Sequence, residues 1–282
     1  MNYGFVLPFG DARLSADLAH EAEQAGWDGF FVWEPVWGVD AWVSLTAAAM
    51  RTERIRLGTM ITPLSRMRPW KLASETATLD HLSGGRVILS VGLGAVDTGF
   101  FSFGEITDRK TRAELLDEGL EILTGLWAGQ PFSYQGKHYQ ITPLDFPFHA
   151  PAPVQQPRIP IWVVGAWPRP KSLRRALRYD GLLPAKMNEK GEFVNLDPAD
   201  IREIKAFVAA NRDPATPFDI VVEGRTPGDR PDEAAEQVRV WDEAGATWWI
   251  EAMWGDGSDS TSLADVRRRI GQGPPVGGWN QL

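Results

Sequence analysis

Val87-Ile88-Leu89-Ser90-Val91-Gly92-Leu93-Gly94-Ala95-Val96-Asp97 decides the fold. Its apolar, partly β-branched run reads as a buried strand that stops at glycines. A strand running into Gly-x-Gly opens the dinucleotide fingerprint of a doubly wound sheet, which needs a third glycine three residues on. Position 97 is Asp97 instead, and the strand is the fourth in the chain rather than the first. Outward from it the same alternation of strand and helix recurs. Strands are expected at Gly4–Pro8, Gly29–Glu34, Ile55–Thr62, Val87–Gly94, Pro160–Ala166, Gly181–Lys186, Phe218–Gly224 and Thr247–Trp254. Helices between them carry start and stop signals: Ser15, Asp40 and Asp108 as starts, Pro69 and Pro231 in first turns, Gly26, Gly129 and Gly245 as stops, and Ser262 with Asp265 as a capping box. Eight such units predict an α/β fold, a (β/α)8 TIM barrel, formed as a single domain over residues 1–282. A long connection, about 129–159, is expected as an insertion after the fourth strand, with a hairpin around Gly136.

Composition narrows the chemistry. The chain has no cysteine, which removes disulfides, thiolate metal sites and cysteine nucleophiles. Its four histidines share no metal-ligand spacing, so no metal site is expected. A net charge of −8 argues against nucleic acid as partner. No apolar run approaches the roughly 20 residues of a membrane span, and Met1-Asn2-Tyr3-Gly4-Phe5-Val6 lacks the basic start of a signal peptide. A cytoplasmic protein is the expectation. Thirteen tryptophans point to large apolar pockets as well as core.

In a barrel, reactive groups stand at the C-terminal strand ends. Glu34 ends the second strand and reads either as a proton-transfer or ligand-binding carboxylate or as a rim salt bridge. Thr59, Met60 and Thr62 end the third; Thr62 offers a hydroxyl to a ligand or serves simply as a good strand former. Gly92 and Gly94 allow close backbone approach of a flat ligand or phosphate. From Arg158 to Lys186, seven basic residues face one acid, Asp180. Gly165 is expected to end the fifth strand, with Ala166, Arg169, Lys171 and Ser172 forming the turn into the next helix. Basic side chains at a helix start suit a bound anion such as phosphate. Arg174, Arg175 and Arg178 read as a solvated basic face.

Arg54-Ile55-Arg56-Leu57-Gly58-Thr59-Met60-Ile61-Thr62-Pro63, Arg68-Pro69, Glu75 to Arg86, Val91-Gly92-Leu93-Gly94, Gln156 to Trp162 and Asp180-Gly181 together resemble the bacterial luciferase-like flavin-dependent oxidoreductases. The resemblance covers about residues 1–190. It implies a barrel that binds reduced FMN, or the deazaflavin coenzyme F420, in its mouth. The fourth-strand glycines and the turn after the fifth strand would line the cofactor, the latter near its phosphate. Thr62 would touch the flavin, and a non-prolyl cis peptide is implied at Thr59–Met60. Where luciferases carry a histidine, this chain reads Trp33-Glu34-Pro35, and Leu93 replaces an arginine between the glycines. The implied activity is monooxygenation, by non-covalent FMN and oxygen, of a small apolar or aromatic substrate walled by Trp33, Trp37, Trp167 and Trp254, with Glu34 as the catalytic candidate. The alternatives are an F420-dependent reductase or dehydrogenase and a flavin-binding protein without turnover. A homodimer and a separate flavin reductase as partner are implied by resemblance only.

Overall fold

Asp11 opens the first helix: its carboxylate accepts the Leu14 N–H, satisfying a backbone donor that the helix itself leaves unpaired. Ser15, the expected cap, lies one turn inside, where its hydroxyl donates to the Asp11 carbonyl. In the computed structural model, which describes residues 1–146, 148–254 and 261–276, the elements run in the expected order. They are β1 (Asn2–Leu7), α1 (Ala12–Gln24), β2 (Gly29–Val32), α2 (Ala41–Ala49), β3 (Arg56–Thr59), β4 (Thr62–Pro63), α3 (Pro69–Ser83), β5 (Val87–Gly92) and α4 (Arg109–Ala128). There follow β6 (Tyr134–Gln135), β7 (Gln140–Ile141), β8 (Ile161–Trp167), α5 (Pro170–Ala176), β9 (Gly181–Lys186), α6 (Pro198–Asn211), β10 (Asp219–Gly224), α7 (Pro231–Ala244), β11 (Trp248–Ala252) and α8 (Leu263–Gly271). Residues 255–260 and 277–282 of the expected 1–282 span lie outside the described residues.

The parallel strands pair in the order β3, β2, β1, β11, β10, β9, β8, β5, β4, and β3 also pairs with β5. β3 and β4 are two halves of one stave, so the sheet closes as an eight-stranded (β/α)8 barrel. The expected continuous third strand, Ile55–Thr62, is thus broken at Met60–Ile61, the positions between the two halves. Gly165, the expected end of the fifth stave, lies inside β8, because that strand stays in register with β9 as far as Trp167 opposite Lys186.

Alternation decides what fills the barrel. Phe31, Trp162 and Trp248 point inward from β2, β8 and β11, with ring centroids 5.1–6.1 Å apart. Trp162 donates its indole N–H to Asp219 on β10 at 3.0 Å, so its polar atom is satisfied inside. Phe31 fits only because three staves carry glycine beside it: a Cβ at Gly4, Gly29 or Gly58 would approach the ring to 2.7, 2.7 and 3.0 Å. At Gly58 the same Cβ would also run into the Ile88 carbonyl oxygen, which belongs to backbone and cannot swing aside. Gly58→Ala should therefore lower stability by about 1–3 kcal/mol, read as a reduced urea midpoint with an unchanged slope. An unshifted midpoint would show that the strand yields there.

Outside the staves a second, larger apolar layer packs the helices on the barrel. Pro69, Pro170, Pro198 and Pro231 each open a helix, where the missing N–H costs no internal bond. No helix among the described residues is long and apolar enough to cross a membrane.

Candidate active site

The C-terminal ends of the staves open on a cavity of about 760 Å³, within the size range of cofactor and ligand sites. Met60 and Ile61 at the break in the third stave line it, with Val164 on β8, Leu183 to Lys186 on β9, Val221 to Glu223 on β10, and Trp254 just past β11. The break is specific. The Met60 N–H still bonds the Val32 carbonyl at 2.8 Å, keeping the stave regular to that residue. The cis peptide accordingly falls at Met60–Ile61, one bond later than the resemblance implied. Ile61 then turns in toward β5, where a Cβ on Gly92 would lie 2.6 Å from its Cδ1.

Below this break runs a buried hydroxyl row. Thr62 Oγ1 donates to Thr59 Oγ1 at 3.0 Å, and Thr59 Oγ1 donates to the Ser90 carbonyl at 3.2 Å. Glu34 stands beside it, behind the mouth rather than on the cavity wall. Its side chain is only 10% exposed, Arg66 lies 3.8 Å from Oε1, and Oε2 has no hydrogen-bond partner among the described residues. Burial pushes the carboxyl up to about 7, while the Arg66 guanidinium pulls it back only in part. The sequence offered a proton-transfer or ligand-binding carboxylate or a rim salt bridge; the structure has an ion pair to Arg66, but a long one, at 3.8 Å. Glu34 is a buried carboxyl poised near neutrality, with a loose cationic neighbour.

Gly94 has φ +78, a conformation that favours glycine, and a Cβ there would press on Phe100 and Pro63 at 2.8 Å. Arg112 on α4, to which the sequence reading gave no role of its own, fixes this loop by donating to the carbonyls of Leu93 and Gly94, both at 2.9 Å.

The turn after β8 departs from the expected amide cradle. Pro168 and Pro170 have no N–H; the Ala166 N–H is taken by Ser172 Oγ, the Arg169 N–H by the Ala166 carbonyl, and the Ser172 N–H by the Arg169 carbonyl. Of the amides in this turn the Lys171 N–H alone has no acceptor among the described residues, so anion recognition there falls mainly to the Arg169 and Lys171 side chains. The basic run itself is largely neutralised: Arg158 by Asp180 within the run, and from elsewhere in the chain Arg175 by Asp117, Arg178 by Glu121, and Lys186 by Asp200 and Asp197. Arg175 is no solvated residue, since its side chain is 10% exposed and it binds Asp117 through two nitrogens. Among the described residues Arg169, Lys171 and Arg174 carry no ion pair.

The four candidate tryptophans separate. Trp254 lines the mouth. Trp33 and Trp37 line a second, apolar cavity of about 210 Å³ between the starts of α1 and α2. Trp167 faces away from the barrel axis, packed against Phe207 of α6. His138 stays in the β6–β7 hairpin, 2.9 Å from Glu114 on α4, away from the mouth. The sequence reading missed Glu223. Its strand was expected, and the inward alternation Asp219, Val221, Glu223 places it at the stave's C-terminal end; that position was the available signal. Trp254 donates its indole N–H to Glu223 Oε1 at 2.8 Å.

A closed (β/α)8 barrel with a ligand-sized cavity at the C-terminal ends of its staves has the layout of the barrel enzymes, whose reacting groups or bound cofactors sit at that face. The family profile described as luciferase-like monooxygenase matches residues 6–272, and the chain belongs to that family of oxidoreductases. An uncharacterised protein of Mycobacterium tuberculosis (strain ATCC 25618 / H37Rv) is 35% identical over 191 residues, covering 59% of this chain and 65% of that protein, just under two thirds of its length. An F420-dependent glucose-6-phosphate dehydrogenase of Nakamurella multipartita is 32% identical over 149 residues, 47% of this chain and 41% of the enzyme. The crystal structure of a monooxygenase from Streptomyces bottropensis superposes with a TM-score of 0.75 at 20% identity over 96% of both chains, a likeness of fold.

Proposed function

We propose that the mouth holds a non-covalent reduced FMN and that the protein is a monooxygenase acting with oxygen on a small apolar or aromatic organic substrate. The observation that carries this is the cavity of about 760 Å³, walled mainly by apolar side chains, in a barrel whose adjoining β8–α5 turn bears two unpaired cations. That room suits a tricyclic ring with a small substrate, so the residues present fit the group. When bound, the flavin supplies the electrons and the site of oxygen chemistry. The chain's own part is to bind, orient and exclude water. Arg169 and Lys171 hold the phosphate. Met60, with Thr59, Thr62, Gly92 and Gly94 behind it, shapes the wall for the ring, and Gly165, Ala166 and Ser172 fix the turn. Trp254 bounds the substrate side. Glu34 keeps a proton beside Thr62, close to the balance between its two forms. A homodimer, a separate flavin reductase and a cytoplasmic setting belong to the same reading.

One observation favours a second reading. The Nakamurella relative is named as F420-dependent, and the anionic tail of that coenzyme would use the same two cations for hydride transfer without oxygen. Titration of the purified protein with reduced FMN and with reduced F420 separates the two, and binding of neither sinks both. Arg169→Ala with Lys171→Ala should weaken whichever cofactor binds by about 10–100-fold, as expected for lost charge-assisted hydrogen bonds. Unchanged affinity would remove the phosphate assignment.

A further inference from the structure

Glu223 is the charged group of the mouth that the cofactor reading leaves without a task. β10 alternates Asp219, Val221, Glu223; Val221 sits in the inner cluster, so Glu223 also faces the barrel axis, and it lines the cavity. Trp254 fixes one carboxyl oxygen at 2.8 Å. No cation pairs with it among the described residues. The other charged side chain on the wall, Lys186, is already held by Asp200 at 2.7 Å and Asp197 at 3.3 Å. Of the two charged side chains on the cavity wall, Glu223 is therefore the one left unpaired among the described residues, set among Met60, Ile61, Leu183 and Val221.

We infer that Glu223 selects the substrate, favouring an apolar or aromatic molecule that ends in a protonated amine over one that ends in a carboxylate. The inference rests on the proposal that the mouth takes cofactor and substrate together. Glu223 is exposed to the solvent of the cavity and carries its charge with no cation beside it, so a ligand ammonium gains an ion pair there whereas a second anion meets repulsion. Crowding by the mouth walls raises the Glu223 pKa and the Trp254 indole N–H only partly lowers it, although the group remains in contact with solvent in the cavity.

The test uses the full chain, wild type and Glu223→Gln, a neutral isostere that keeps an acceptor for Trp254. Benzylamine, benzyl alcohol and benzoate are titrated by calorimetry at neutral pH, each with and without reduced FMN or F420. Wild type should bind benzylamine at least about tenfold tighter than benzoate, about 1.4 kcal/mol. Glu223→Gln should erase that preference while leaving cofactor affinity within about twofold, and Trp254→Phe should weaken the preference without reversing it. An unchanged amine-to-carboxylate ratio in Glu223→Gln overturns the inference, as does wild type that binds no benzylamine. Loss of cofactor binding in Glu223→Gln also overturns it, by assigning the carboxyl to the cofactor. An intact amine preference in a protein that binds neither flavin nor deazaflavin sinks the cofactor proposal and leaves this inference standing.

Discussion

Replacing Arg269 by methionine is expected to lower folding stability by about 3–5 kcal/mol, the usual cost of leaving a buried charge without its partner. Glu251 on β11 is fully buried. It accepts the Thr226 N–H and hydroxyl at 2.8 Å each, the Trp249 indole N–H at 3.2 Å and Arg269 Nε at 3.2 Å. Arg269 also donates to Thr226 Oγ1 at 2.8 Å and to the Gly273 carbonyl at 2.7 Å, and it lies over the Trp27 ring at 5.1 Å. One guanidinium thus ties α8 to the last stave, to the loop after β10 and to the turn between α1 and β2. Methionine keeps much of the aliphatic stem but none of the donors, so Glu251 faces the interior with its countercharge gone. Chemical denaturation should show the loss, and the double variant Glu251→Gln, Arg269→Met should recover a large part of it, because it removes both charges together. A loss below about 1 kcal/mol in the single variant would show that solvent reaches Glu251 once the arginine is gone.

Glu34→Gln is expected to stabilise the protein in alkaline solution and leave it unchanged in acid. The folded-state pKa is about 7 against an ordinary 4.5, so the folded protein holds a proton over a range in which the unfolded chain has released it. Stability tied to that proton is fully present below the lower value and is lost as pH rises through the upper one. A difference of that size corresponds to about 3 kcal/mol at full development, or roughly 6–12 °C in melting temperature for a chain of this length. Glutamine cannot ionise, so the variant should show a flat profile where wild type declines. Melting curves across this pH range check it, and parallel profiles for the two proteins would place the titrating group elsewhere. Should Glu34 also serve the reaction, the same variant will lose turnover while gaining stability.

The barrel was legible because its cues are local. Glycine after α1 and after α7, proline in the first turns of α3 and α7, and Asp40 and Asp108 as caps each act within a few residues, and the structure uses them as such. Where the sequence misled, the deciding contacts were distant. Counting charges from Arg158 to Lys186 gave a strongly basic patch; Asp117 and Glu121 arrive from α4, and Asp197 and Asp200 from the start of α6, to neutralise most of it. Ser15 and Asp11 are both good caps, and the choice went to the residue that could reach the Leu14 N–H. Glu34 was visible as a carboxylate at a strand end, but its burial behind Arg66 depends on how β4 and the turn after it fold back. Glu223 needed only the inward alternation of its own strand. Its importance becomes plain once Trp254, from the next stave, is seen to hold it.

Phe31 and Trp162, stacked, and Trp248, edge-on to both, fill the barrel beneath Met60, Ile61 and Val164 of the cavity wall and give the mouth a hard floor. A bound molecule cannot lengthen downward along the barrel axis; each added carbon must emerge at the rim, among the exposed side chains of Phe193 and Val194. The barrel therefore gauges its ligand from one end only: whatever is seated innermost is held to a fixed depth, while the opposite end is left open to variation. Recessing the floor, more than reshaping the loops, is what would let the cavity accept a longer molecule without changing what stands at its rim.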